Sequence, residues 1–87
     1  MRKKLYVVYD VVAEEANEPF MANNDGVALR GFHQALERGD VEHREEFKLY
    51  EIGYFDPGSM KCVGTWPVRQ VVATLKTGTG DFEEVDE

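Results

Sequence analysis

The sequence predicts a small α+β domain of residues 1–77. It is a mixed three-stranded sheet with two helices, in the order β-α-β-β-α, followed by a disordered acidic C-terminal tail at 78–87. Three features carry this expectation. Residues 5–12 and 47–56 are rich in Val, Ile, Tyr and Phe, as strands are. Residues 25–38 repeat their apolar side chains at the helical period. Between two apolar runs, Asp56-Pro57-Gly58-Ser59 joins a proline that presets φ to a glycine that supplies φ above zero, which makes a tight turn.

In the first strand, Leu5, Val7, Tyr9 and Val11 point one way and Tyr6, Val8, Asp10 and Val12 the other. Both faces carry apolar groups, which predicts a central strand covered on both sides. Residues 13–24 have no sustained period and read as a loop, pinned to the core by Phe20 and Met21. The helix follows, capped by Asn24 or Asp25. Ala28, Leu29, Phe32, Ala35 and Leu36 fall within an arc of roughly 120°, with Arg30, Gln34 and Glu37 opposite and His33 at the edge. Gly39 supplies the stop. Residues 47–56 and 60–66 then form a hairpin. Residues 68–76 are rich in β-branched side chains, which favours a strand. Yet Val68, Val71, Val72 and Leu75 share an arc of roughly 100°, and Pro67 and Gly78 suit helix ends, so the period selects a helix. A helical crossover between the first two strands makes them parallel.

The chain has 87 residues, 10 basic and 17 acidic, for a formal charge of −7. Five of the acids lie in residues 81–87, and without them the charge is −2. Gly78-Thr79-Gly80 reads as a flexible joint before that tail. The tail reads as a disordered, solubilising segment, as a competitor with nucleic acid for the body's own basic groups, or as a docking segment anchored by Phe82 and Val85. No run of 18 apolar residues exists, so no membrane span is expected. The single cysteine, Cys62, excludes an internal disulfide and a multi-thiolate zinc site, and fits a reducing cytoplasm. The acidic balance counts against generic duplex-DNA binding, which relies on neutralising phosphates.

No catalytic constellation is present. His33, His43 and Cys62 lack the spacing of a nucleophile with its base or of a ligand set. Asp10, Asp25 and Asp56 read as cap or turn residues rather than metal ligands. The glycines are scattered and form no phosphate loop. The expectation is a protein that is not an enzyme, with no cofactor and no metal.

The aromatic residues are the informative ones. Tyr6, Tyr9, Phe47, Tyr50, Tyr54, Phe55 and Trp66 all fall in or beside predicted strands. Two helices cover one face of such a sheet, and the other exposes tyrosines and Ile52. A homodimer through the sheet face or edge is expected to bury that surface. A single-stranded nucleic acid could instead stack its bases on the rings. Arg2, Lys3, Lys4, Lys48, Lys61 and Arg69 would line the edge, and Arg30 could fork a phosphate from the helix. The candidate nucleic-acid-binding residues are therefore Arg2, Lys3, Lys4, Tyr6, Arg30, Lys48, Tyr50, Tyr54 and Lys61.

Four ordered segments support a resemblance: Tyr6-Val7-Val8-Tyr9-Asp10, then Glu18-Pro19-Phe20, then the run from Asp25 to Phe32, then the run from Glu46 to Asp56. In this order and spacing, across roughly residues 5–75, the chain resembles the small non-structural protein of gokushoviruses, single-stranded-DNA phages of the Microviridae. The resemblance implies a protein that binds single-stranded DNA in the cytoplasm of the infected bacterial host, accessory to genome replication or packaging. It transfers no residue-level site. The other reading of the same residues is a protein–protein adaptor that regulates phage replication or assembly without touching DNA.

Overall fold

The computed structural model describes residues 2–72, 74–75 and 82–83. Strand β1 (Lys3–Asp10) is central, and β2 (Glu15–Ala16), β3 (Phe20–Ala22), the helix α1 (Asp25–Arg38), β4 (Phe47–Asp56) and β5 (Lys61–Val71) follow it. The main sheet has five strands in the order β2-β1-β4-β5, with β3 also on the outer edge of β1. Every pairing in it is antiparallel. A second, two-residue pairing joins β6 (Thr74–Leu75) to β7 (Phe82–Glu83). The rest of the predicted tail lies outside the described residues.

This corrects the predicted three-stranded mixed sheet with two helices. The described residues contain one α-helix, and β1 and β4 are antiparallel rather than parallel. The reason is one extra reversal inside the segment read as a loop. Strands β2 and β3 return along β1, with Tyr9 opposite Ala16 and Tyr6 opposite Phe20. The helix therefore starts at the end where β1 began, runs alongside it, and delivers β4 in the opposite direction. The predicted second helix, residues 68–76, is strand through Val71 and again at Thr74–Leu75. The β-branched side chains decided the matter, because β4 offered them a ladder partner.

The first helix forms as its sequence predicts. Asn24 caps it by accepting from the Val27 amide at 2.9 Å, and Gly39 ends it. Ala28, Leu29, Phe32 and Leu36 are buried against Tyr6, Ala22, Leu49 and Val71 of the sheet. Ala35, expected in the stripe, is exposed, and Met21, expected to tuck in, is half-exposed. Gly31 lies on the open side of α1, where an added Cβ would meet nothing within 4 Å. Gly31→Ala is expected to raise stability by about 0.5–1 kcal/mol, because glycine costs that much in a helix interior. A melting temperature unchanged or lowered by this substitution would contradict the open placement.

Candidate nucleic-acid interface

The helix covers one face of the sheet and leaves the other open, so β1 is central but is not covered on both sides as its two apolar faces predict. Alternation places Val7 and Tyr9 of β1 and Tyr50 and Ile52 of β4 on the open face, and β5 adds Trp66 and Val68. Ala16 of β2 closes the far side. These side chains line a groove of about 500 Å³. Tyr9 and Tyr50 meet edge to face, with ring centroids 6.1 Å apart. Lys48 is the cross-strand partner of Tyr9 and shares its face. The groove is thus apolar and aromatic, with a cation at one side.

A bulge on β5 shapes its rim. The register runs from Glu51 opposite Arg69 to Gly53 opposite Gly64, so residues 65–68 face Ile52 alone. Bulges re-aim side chains and often flank functional sites. Here the bulge holds Trp66 at 86% exposure, higher than any other large hydrophobic side chain among the described residues. The exposed indole extends the apolar surface that the groove presents on this face.

The opposite face carries a charged cluster that fixes the groove's walls from behind. Tyr6 donates to Asp25 Oδ1 at 2.7 Å. Arg69 Nη2 donates to both Asp25 carboxylate oxygens at 2.8 Å, and its Nε donates to Glu51 Oε1 at 2.8 Å. Lys4 Nζ stands 3.8 Å from Asp25 and 3.9 Å from Glu51. Two cations thus balance two carboxylates, and β1, α1, β4 and β5 meet in one network. Burial alone would raise the Asp25 carboxyl, but the hydrogen bonds from Arg69 and Tyr6 outweigh it and hold the group below its usual value. Burial first, then the hydrogen bond and charge of Asp25, push the Tyr6 phenol well up.

The structure separates the sequence-predicted candidates. Tyr50 lies in the groove and Lys48 beside it. Tyr6 does not: its exposure is 0%, in the core under α1, so it presents no ring face to a base. Lys4 and Arg69 are engaged in the cluster behind the groove. Tyr54 pairs with Lys4 on the helix-bearing face, where Arg2 lies 4.5 Å from its ring centroid. Lys3 and Lys61 sit at the strand ends next to the Asp56 turn, and Arg30 is on the outer side of α1. The groove residues Val7, Tyr9, Ile52, Trp66 and Val68 were absent from the predicted set. For Ile52 the signal was its period-two parity with Tyr50 on the same strand; for Val7 and Tyr9 the face follows only from the antiparallel register with β4, and for Trp66 and Val68 only from the bulge.

No helix among the described residues is long and apolar enough to cross a membrane, and among them no group of three or more potential ligands could hold a metal. No curated protein and no solved structure matches the chain. A family model described as Phage ORF5 protein matches residues 3–78.

Proposed function

The chain belongs to the Phage ORF5 protein family, and from that premise we propose that it is a non-structural protein of a single-stranded-DNA phage, of gokushovirus type, that binds single-stranded DNA in the groove of its open sheet face. A phage protein is made in the infected host. In this reading it works in the host cytoplasm, accessory to genome replication or packaging, by binding rather than by catalysis. The observation that carries the reading is the exposed Trp66 beside Tyr9 and Tyr50 on one apolar surface. Base stacking on aromatic rings is worth roughly 1–3 kcal/mol per base and tolerates any sequence.

The charge distribution predicts how the binding responds to salt. Each phosphate neutralised on a single strand contributes a slope of about −0.7 in log affinity against log salt. A groove served by Lys48 alone gives a slope of about −0.7. A site that enlisted Arg2, Lys3, Lys4, Lys48 and Lys61 together would give about −3 to −4.

Trp66 is the chain's one tryptophan, so its fluorescence reports on the groove directly. Titration with an oligothymidylate is expected to quench it, with the shallow salt slope. Trp66→Ala and Tyr50→Ala are each expected to weaken binding roughly 5- to 150-fold, measured by anisotropy of a labelled oligonucleotide. Absence of binding at low salt in the unmodified protein would sink the DNA reading. The adaptor reading, or a homodimer that hides the groove, would then take its place, since an apolar groove with an exposed indole also suits a protein surface.

A further inference from the structure

The two ends of the sheet carry opposite charge, and each presents an exposed apolar tip. Strand β1 runs from Lys3 to Asp10 and β4 returns from Phe47 to Asp56. One end therefore gathers Arg2, Lys3 and Lys61 around the β4–β5 turn, whose Met60 is 79% exposed. Asp56 lies there too, with its carboxylate accepting from the Gly58 amide at 3.0 Å within the turn. The other end gathers Asp10, Glu14, Asp40, Glu42, Glu45 and Glu46. The Val11 amide donates to the Glu46 carbonyl at 2.9 Å, which joins the β1–β2 turn to the segment before β4. Arg38, His43 and Arg44 lie at this end and leave it acidic. Its apolar tip is Val12, 69% exposed, with Val11 beside it.

We propose that copies of this chain associate head to tail, the basic end of one copy seated on the acidic end of the next. Only that arrangement sets opposite charges face to face with an apolar tip at the centre of each; acidic on acidic and basic on basic repel. Because the two patches lie at opposite ends of the sheet, the contact is heterologous and a single dimer leaves one basic and one acidic end unpaired, so association continues past the dimer into an array. Edge-to-edge pairing through β5 is disfavoured, because Pro67, the bulge, and Lys61 and Arg69 blunt that strand. The chain's net charge of −7 opposes association at long range, but at physiological salt charges more than about 8 Å apart are largely screened and the contact itself decides. The functional consequence rests on the groove reading above: the groove lies between the two ends, so the array sets grooves in line and makes binding to a long strand cooperative.

The association is measured first without DNA, by sedimentation of the full chain over a range of concentrations. The weight-average mass is expected to rise past that of a dimer without a plateau, and to fall back as salt is added. Lys3→Glu with Lys61→Glu in one variant, or Glu42→Lys with Glu45→Lys in another, is expected to leave the protein monomeric. An equimolar mixture of the two variants is expected to associate again. A monomer at every concentration, a closed dimer, or variants that associate as the parent does would each overturn the proposal. With oligothymidylate, the parent is expected to bind a long strand cooperatively and a single-site strand without cooperativity, and the acidic-end variant to lose the cooperativity while still binding the single-site strand. Failure to bind the short strand tests the groove reading alone, because the sedimentation result stands without it.

Discussion

Gly53→Ala is expected to destabilise the protein by about 3 kcal/mol, from steric conflict against backbone that cannot yield. Gly53 is buried in β4 at φ 159°, opposite Leu5 on one side and Gly64 on the other. A Cβ there would stand 2.1 Å from the Val63 carbonyl oxygen and 3.0 Å from the Gly64 Cα. No side-chain rotation relieves the clash, because both atoms belong to the neighbouring strand's main chain. The registers of β4 with β1 and with β5 both shift beside this residue, so the strands cannot slide apart without losing the bulge that presents Trp66. For a domain of this size each kcal/mol shifts the melting temperature by about 4–8 °C, so a fall of more than 10 °C is expected. Gly64→Ala is the control, since its Cβ would meet only the Ile52 carbonyl oxygen, at 3.9 Å. Equal melting temperatures for the two variants would show that the close approach at Gly53 is not a constraint.

The same glycine shows why part of the fold was hidden in the sequence. In the alternation of residues 47–56, Gly53 reads as one more strand position, and nothing local reveals that two backbones meet there. The helix Asp25–Arg38 was legible because cap, stripe and stop agreed within one segment. The strand Phe47–Asp56 was legible from composition; the first strand was legible too, but read at 5–12 it runs Lys3–Asp10, and Val11 and Val12 fall in the turn that follows. Their relative direction was not legible, because it depends on β2 and β3, two- and three-residue strands held by pairing to β1 rather than by their own propensity. The groove was half legible: the sequence points to Tyr50 and Lys48, and period-two parity within β4 could have added Ile52. Tyr6 was misplaced because its partner, Asp25, is 19 residues away and draws the phenol into the core.

Asp25→Ala is expected to cost about 2–3 kcal/mol, because it strips the acceptor from buried Tyr6 and from Arg69 together. The charge part of the effect is separable by pH. The Asp25 carboxyl is held below its ordinary value of 3.8, so its contribution is fully present above that value and is lost as the pH falls through the lower, folded one. In Asp25→Asn the amide oxygen still accepts from Tyr6, but the charge is gone. The stability gap between this variant and the parent is therefore expected to be constant from pH 5 to 8 and to close below about pH 3. The phenol of Tyr6 is pushed the other way, so its contribution holds up to its ordinary value of 10.0 and declines above it. The measurement is chemical denaturation of both proteins at each pH. A gap that persists at low pH would show that Asp25 acts by shape and not by charge. Arg69 neighbours Val68 on β5, so loss of the cluster also frees one wall of the groove. Asp25→Ala is accordingly expected to weaken oligonucleotide binding at temperatures where it remains folded. Gly31→Ala, at an open position of α1 on the face of the sheet opposite the groove, is expected to leave binding as it was. If both variants bind as the parent does, the network stabilises the fold without shaping the groove.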